Sequence, residues 1–148
     1  MPSTSQSYWT RNEAVQGDEG NAIMKLMGYE ILTFDSYFHG VPILIKDNIV
    51  TADKLEATAG SHALLGGKLP KEASVISRLR KAGAIILGKT NLSEWANFRS
   101  AMSSNGWSAR GGQTMGTYYP GSDPSGSSSG SGVAASLGLC VITLGSEV

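Results

Sequence analysis

Two groups of residues could do chemistry, and they lie far apart in the chain. Lys46 closes the apolar run Val41-Pro42-Ile43-Leu44-Ile45 and is followed at once by Asp47 and Asn48. A lysine at the end of a strand is usually solvated. One whose stem is buried behaves differently, because desolvation disfavours the ammonium and leaves a neutral amine able to take a proton. The second group is a cluster of small residues: ten of the twelve residues from Gly121 to Gly132 are Gly or Ser, with Ser127, Ser128 and Ser129 consecutive. Composition alone permits a flexible linker there. A linker should join two polar boundaries, yet this one runs directly into the apolar stretch from Val133 to Leu144. Such a junction equally suits a tight backbone at a helix N-terminus, where hydroxyls and amides converge.

Two familiar patterns fail on context. Gly83 to Thr90 fits G-x-x-x-x-G-K-[ST], but a phosphate-binding loop follows its strand and opens a helix. Here a helical pattern precedes Gly83, and Ala84-Ile85-Ile86-Leu87 is itself the apolar strand. Gly126-Ser127-Ser128-Ser129-Gly130 fits G-x-S-x-G, which needs a strand leading into the turn and a later histidine. Ser122-Asp123-Pro124-Ser125 cannot be a central strand, and both histidines, His39 and His62, lie upstream.

Composition narrows the field further. Twelve basic residues balance twelve acidic ones, so no charge excess favours nucleic acid or an anionic membrane as partner. The one cysteine, Cys140, excludes an intramolecular disulfide framework and suits a reducing, cytoplasmic setting. The first residues lack the basic and apolar regions of a signal peptide, and no apolar run is long enough to span a bilayer. His39, His62 and Cys140 show no metal-ligand spacing, and no cofactor motif survives.

The surrounding elements must position the lysine and the serines. Residues 1–35 form an irregular polar arm, with a short helix expected over 22–27, and residues 36–148 carry the organised part. Val41 to Ile45 is a buried strand that Pro42 either starts or confines to an edge. Pro70 to Ala82 is a helix with Val75, Leu79 and Ala82 on one face beside Ile76, and Gly83 stops it. Ala84 to Leu87 is a second strand, and Asn91-Leu92-Ser93-Glu94 has the form of a cap opening a second helix. Ser103 to Ser131 is a long polar loop, of the length usually kept for function. A small-residue helix from Ser128 and a buried strand over 139–144 complete the pattern. Alternating strands and helices predict an α/β fold with a partly parallel sheet flanked by helices.

Several separated blocks then resemble the amidase signature family, in that family's order. They are Gly40 to Ile49 around Lys46, Thr58-Ala59-Gly60-Ser61, Ala82 to Trp95, and Asp123 to Gly132. Asn97 to Ser100 and Gly106 to Gln113 resemble its fungal and bacterial general amidases. The resemblance implies a Ser–Ser–Lys triad that hydrolyses a small carboxylic amide through an acyl-enzyme, without a cofactor. It places the family's lysine on Lys46 and its bridging serine, preceded by a cis peptide, on Ser127. Asp47, Asn48, Ser128 and Ser129 then surround those two. Ser125 departs mildly from the glycine usual before Gly126. The family continues Gly-Thr-Glu-Thr-Asp-Gly-Ser where this chain has Gly145-Ser146-Glu147-Val148. The attacking serine would therefore come three places after Val148, together with the oxyanion-hole amides. Two expectations follow: a partial amidase fold inactive by itself, or a non-catalytic interaction module whose exposed sheet edge favours self-association.

Overall fold

The computed structural model describes residues 36–100 and 102–147. The predicted N-terminal arm and its helix over 22–27 lie outside those residues.

The apolar run after Gly40 forms strand β1, Pro42–Lys46. It is the middle strand of a parallel three-stranded sheet, flanked by β2 (Ile85–Thr90) and β5 (Ile142–Leu144) in the order β2-β1-β5. Pro42 therefore starts a central strand, where its missing N–H costs least. Alternation along β1 sends Ile43 and Ile45 to one face and Leu44 and Lys46 to the other. Ile43 and Ile45 are fully buried against Ile76 and Ala84, with Ile86, Ile142 and Leu144 packed around them.

Ile76 belongs to helix α1, Ser74–Lys81. The helix begins four residues later than Pro70, because Ala73 is extended (ψ 134°) and its N–H donates to Val50 O at 3.1 Å. The intervening residues thus serve as a connection pinned to the turn after β1. Ile76 is the residue α1 buries, whereas Val75 is exposed.

Three more expectations shift. β2 runs on through Gly88, Lys89 and Thr90, because Ile45 and Lys46 of β1 continue the ladder opposite Lys89 and Thr90. The third strand is shorter than 139–144 and only half-buried, Leu139 and Val141 facing outward. No helix opens at Asn91. A short 3₁₀ turn, Glu94–Asn97, takes its place, with Trp95 and Ala96 in the left-handed region at φ 52° and 53°. Ser93 does not cap it. Its hydroxyl instead accepts Gly106 N–H at 2.9 Å, and its own N–H donates to Ser127 O at 3.0 Å. Competition for Ser93 by the serine-rich segment overrides the local capping signal.

The long polar stretch contains a small hairpin, β3 (Trp107–Ser108) with β4 (Gly112–Gln113). It ends in helix α2, Ser129–Ser136. α2 packs on the sheet face opposite α1, where Ser131 Oγ meets Thr90 Oγ1 at 2.7 Å and donates to Leu144 O at 3.1 Å. No helix among the described residues is long and apolar enough to cross a membrane.

Candidate active site

The serine cluster is docked, not free. Ser129 and Ser131 are buried, and Ser129 Oγ donates to Ser125 O at 2.6 Å across the first turn of α2. Small residues are needed because the backbone of Asn91 lies so close: Gly130 N donates to Asn91 O at 2.9 Å. A Cβ on Gly130 would stand 2.6 Å from Asn91 N. The linker reading is overturned by this packing. The peptide bond between Gly126 and Ser127 is cis.

Lys46 lies on the same face, at the C-terminal end of the central strand, where parallel sheets commonly assemble their sites. It is 0% exposed. Its Nζ lies 2.7 Å from Ser127 Oγ, 3.0 Å from Ser146 Oγ and 3.2 Å from Ser146 O. Burial pushes the Lys46 ammonium below the usual lysine range, and the charge of Glu147 offsets part of that effect. The two groups that the sequence suggested, 81 positions apart, thus meet in a hydrogen bond.

The remaining expected residues divide. Asn48 Nδ2 donates to Ser146 Oγ at 3.2 Å, placing Asn48 beside the amine. Ser128 Oγ donates to Ser146 O at 3.1 Å and accepts Ser146 N–H at 3.2 Å. Ser129 supports the helix turn and makes no bond to Lys46. Asp47 faces away from the amine. Its Oδ2 accepts Thr58 N–H, Thr58 Oγ1 and Gly60 N–H at 3.2, 2.7 and 2.8 Å, and its Oδ1 is 3.6 Å from Arg110 Nη1. Asp47 therefore fastens the 58–61 loop to the end of β1. His62 sits on the surface with Nε2 3.0 Å from Ala109 O, distant in role from the lysine. Among the described residues no group of three His, Cys, Asp or Glu could hold a metal ion.

A family model described as Amidase matches residues 28–148. The chain belongs to the Amidase family. It is similar to the peptide amidase of Stenotrophomonas maltophilia, whose crystal structure it matches with 53% identity and a TM-score of 0.68. That match covers 73% of this chain and 22% of that one. An amidase-family protein of Bacillus anthracis superposes with a TM-score of 0.72 at 36% identity, over 76% of this chain and 23% of the other. Among curated sequences, a protein of Arthroderma benhamiae with a provisional amidase name is 57% identical over 109 residues, 74% of this chain and 18% of that protein. A similarly named protein of Arabidopsis thaliana is 54% identical over 109 residues, 74% of this chain and 21% of that protein. The chain therefore spans about a fifth of the length of the curated relatives it matches.

Reasoning from residue types missed Ser146. Its hydroxyl and carbonyl both bond the Lys46 amine, yet it stands alone between Gly145 and Glu147 with no spacing to draw attention. Its place is set by register: β5 pairs Leu144 with Ile45, so Ser146, two residues past β5, lies at the same end of the sheet as Lys46.

Proposed function

We propose that Lys46 and Ser127 are the base and the proton relay of a Ser–Ser–Lys amide hydrolase that passes through an acyl-serine intermediate. The single observation carrying this reading is the 2.7 Å bond between a fully buried lysine amine and the Ser127 hydroxyl. A neutral amine accepts the hydroxyl proton, and the hydroxyl oxygen in turn takes the proton of an attacking group, so the nucleophile is activated without histidine. In the family pattern the attacking serine comes three places after Val148. The 148 residues by themselves should accordingly not turn over amides. The substrate class we assign is a small carboxylic amide, and the relatives make peptide amides the first to assay. Incubating the 148-residue chain with a panel of simple carboxamides and peptide amides should give no product. Any product from the unaltered chain would refute its expected inactivity, and product formed equally by Lys46→Ala would refute the role assigned to Lys46.

A second reading is favoured by a specific feature of the sheet. β2 and β5 are its outer strands, and Ile85, Leu87 and Val141 are 51, 54 and 78% exposed. An apolar surface along the outer strands of the sheet formed by the described residues suits an interaction module that associates with itself. Sedimentation at increasing concentration discriminates: a mass that stays at one chain removes this reading.

A further inference from the structure

The Lys46 nitrogen has three hydrogen-bond neighbours, and Ser146 supplies two of them. A neutral amine has two N–H groups and one lone pair, so one neighbour must donate to it. The Ser146 carbonyl oxygen, at 3.2 Å, accepts only. The choice of donor therefore lies between the hydroxyls of Ser127 and Ser146. Ser127 is at 2.7 Å, a separation typical of an O–H donor, whereas Ser146 Oγ at 3.0 Å has the length of an N–H···O bond.

Asn48 reinforces this division. Its Nδ2 donates to Ser146 Oγ at 3.2 Å, and its Oδ1 is buried with no partner. Rotating the amide by half a turn would let that oxygen accept the Ser146 hydroxyl proton. In that orientation Ser146 Oγ has acceptor capacity alone left for Lys46. Ser146 is itself held at its backbone, where Ser128 Oγ bonds both its N–H and its carbonyl.

We propose that Ser146, held by Asn48 and Ser128, is a positioning residue for Lys46. Its carbonyl and hydroxyl oxygens take both N–H groups of the neutral amine and thereby aim the nitrogen lone pair at the Ser127 hydroxyl. When the Ser127 O–H bond breaks, its proton forms the third N–H bond. The resulting ammonium then donates to Ser146 O, Ser146 Oγ and Ser127 Oγ. This inference rests on the proposed roles of Lys46 and Ser127, and adds the group that orients the base. Glu147 is the charged group that acts on this amine, while the neighbouring Asp47 carboxylate is committed to Thr58, Gly60 and Arg110.

The test is a pH titration of the Lys46 side chain in the 148-residue chain, with nitrogen-15-labelled lysine, read by NMR and assigned by Lys46→Met. Ser146→Ala removes an acceptor that stabilises the ammonium more than the neutral amine, since charge-assisted hydrogen bonds are the stronger ones. The proton affinity of Lys46 should fall roughly fivefold. Ser146→Thr keeps the hydroxyl and should restore it, which a merely structural role would not predict. Asn48→Ala should move the titration in the same direction by a smaller factor, and it decides the matter if Ser146→Ala does not fold. A folded Ser146→Ala or Asn48→Ala chain with unchanged Lys46 titration overturns the inference. A different result, Lys46 of the unaltered chain titrating as an ordinary solvated lysine, would instead sink the proposed catalytic role beneath it.

Discussion

Lys46 and Lys89 occupy adjacent strands one register step apart, on opposite faces of the same sheet, and both are held below the usual lysine range chiefly by burial. Their surroundings differ in kind. The Lys89 amine donates to Ile49 O and sits among charges of both signs, Asp47 and Asp53 favouring its ammonium and Arg110 and Arg80 opposing it. A cavity of about 270 Å³ opens there, lined in part by Asp47, Lys89 and Arg110. Lys46 instead meets hydroxyls and one carbonyl, with Glu147 the charge that acts on it. Carboxylates near a lysine fix its charge and make it a tie within the structure. Hydroxyls that both donate and accept let a proton move in either direction, which is what a base requires. The contrast is between a lysine set among several fixed charges and one bonded to two hydroxyls and a carbonyl.

Asp47 follows Lys46 in the chain but serves the Lys89 side, and removing it should have the largest effect. In Asp47→Ala the N–H groups of Thr58 and Gly60 lose their buried acceptor, and Arg110 loses its nearest inward carboxylate. A buried donor left unpaired costs about 1–3 kcal/mol, so a loss of roughly 3 kcal/mol is expected in urea unfolding. The milder Asp47→Asn should lower the Lys89 proton affinity further while leaving the Lys46 titration in place. A stability loss under about 1 kcal/mol in Asp47→Ala would show that this carboxylate is not the tie.

The next prediction concerns pH. Both lysines bind a proton less tightly in the folded chain than in the unfolded one, where the ordinary value near 10.5 applies. Between the folded and unfolded values the unfolded chain holds more protons, so stability rises with pH across that interval. Below it, each buried ammonium imposes its full cost. Each tenfold reduction in proton affinity corresponds to about 1.4 kcal/mol. Lys46→Met should therefore flatten the rise measured by unfolding at successive pH values up to 10.5, and Lys89→Met should flatten its own share. An unchanged slope in Lys46→Met would mean that its amine is not desolvated as drawn, and the contrast with Lys89 would collapse.

How much of this was legible beforehand follows from the range of each signal. The strand ending at Lys46 and the small-residue helix after Ser127 were visible because they are set by local apolar pattern and by the demand for small side chains. The start of α1 was not, because Ala73 is drawn into an extended form by a bond to Val50, 23 positions away. The false helix at Asn91 failed similarly: Ser93 has the chemistry of a cap, but Gly106 and Ser127 claim its hydroxyl and its amide. At the site, Lys46 and Ser127 could be named from family likeness, and residue types supplied a reason for each. Asp47 was named beside them yet faces the 58–61 loop, since alternation along an extended chain sends neighbours to opposite sides. Ser146 escaped notice because its role comes from strand register alone.

The smallest energetic effect should come from the sheet margins, where the comparison between the two faces no longer applies. Leu87 on β2 and Val141 just before β5 are more than half exposed. Exchanging such surface residues usually shifts stability by no more than about 0.5 kcal/mol. Leu87→Thr with Val141→Thr should therefore leave the unfolding midpoint and the Lys46 titration where they are. Association is another matter, because it depends on apolar area that folding leaves uncovered rather than on the core around Ile43 and Ile45. If the margins join one chain to another, the weight-average mass from sedimentation should climb with concentration in the unaltered chain and climb less in the double variant. Equal climbs in both would move the contact away from these strands, since a surface that stays sticky without its exposed leucine and valine is not the one formed by β2 and β5.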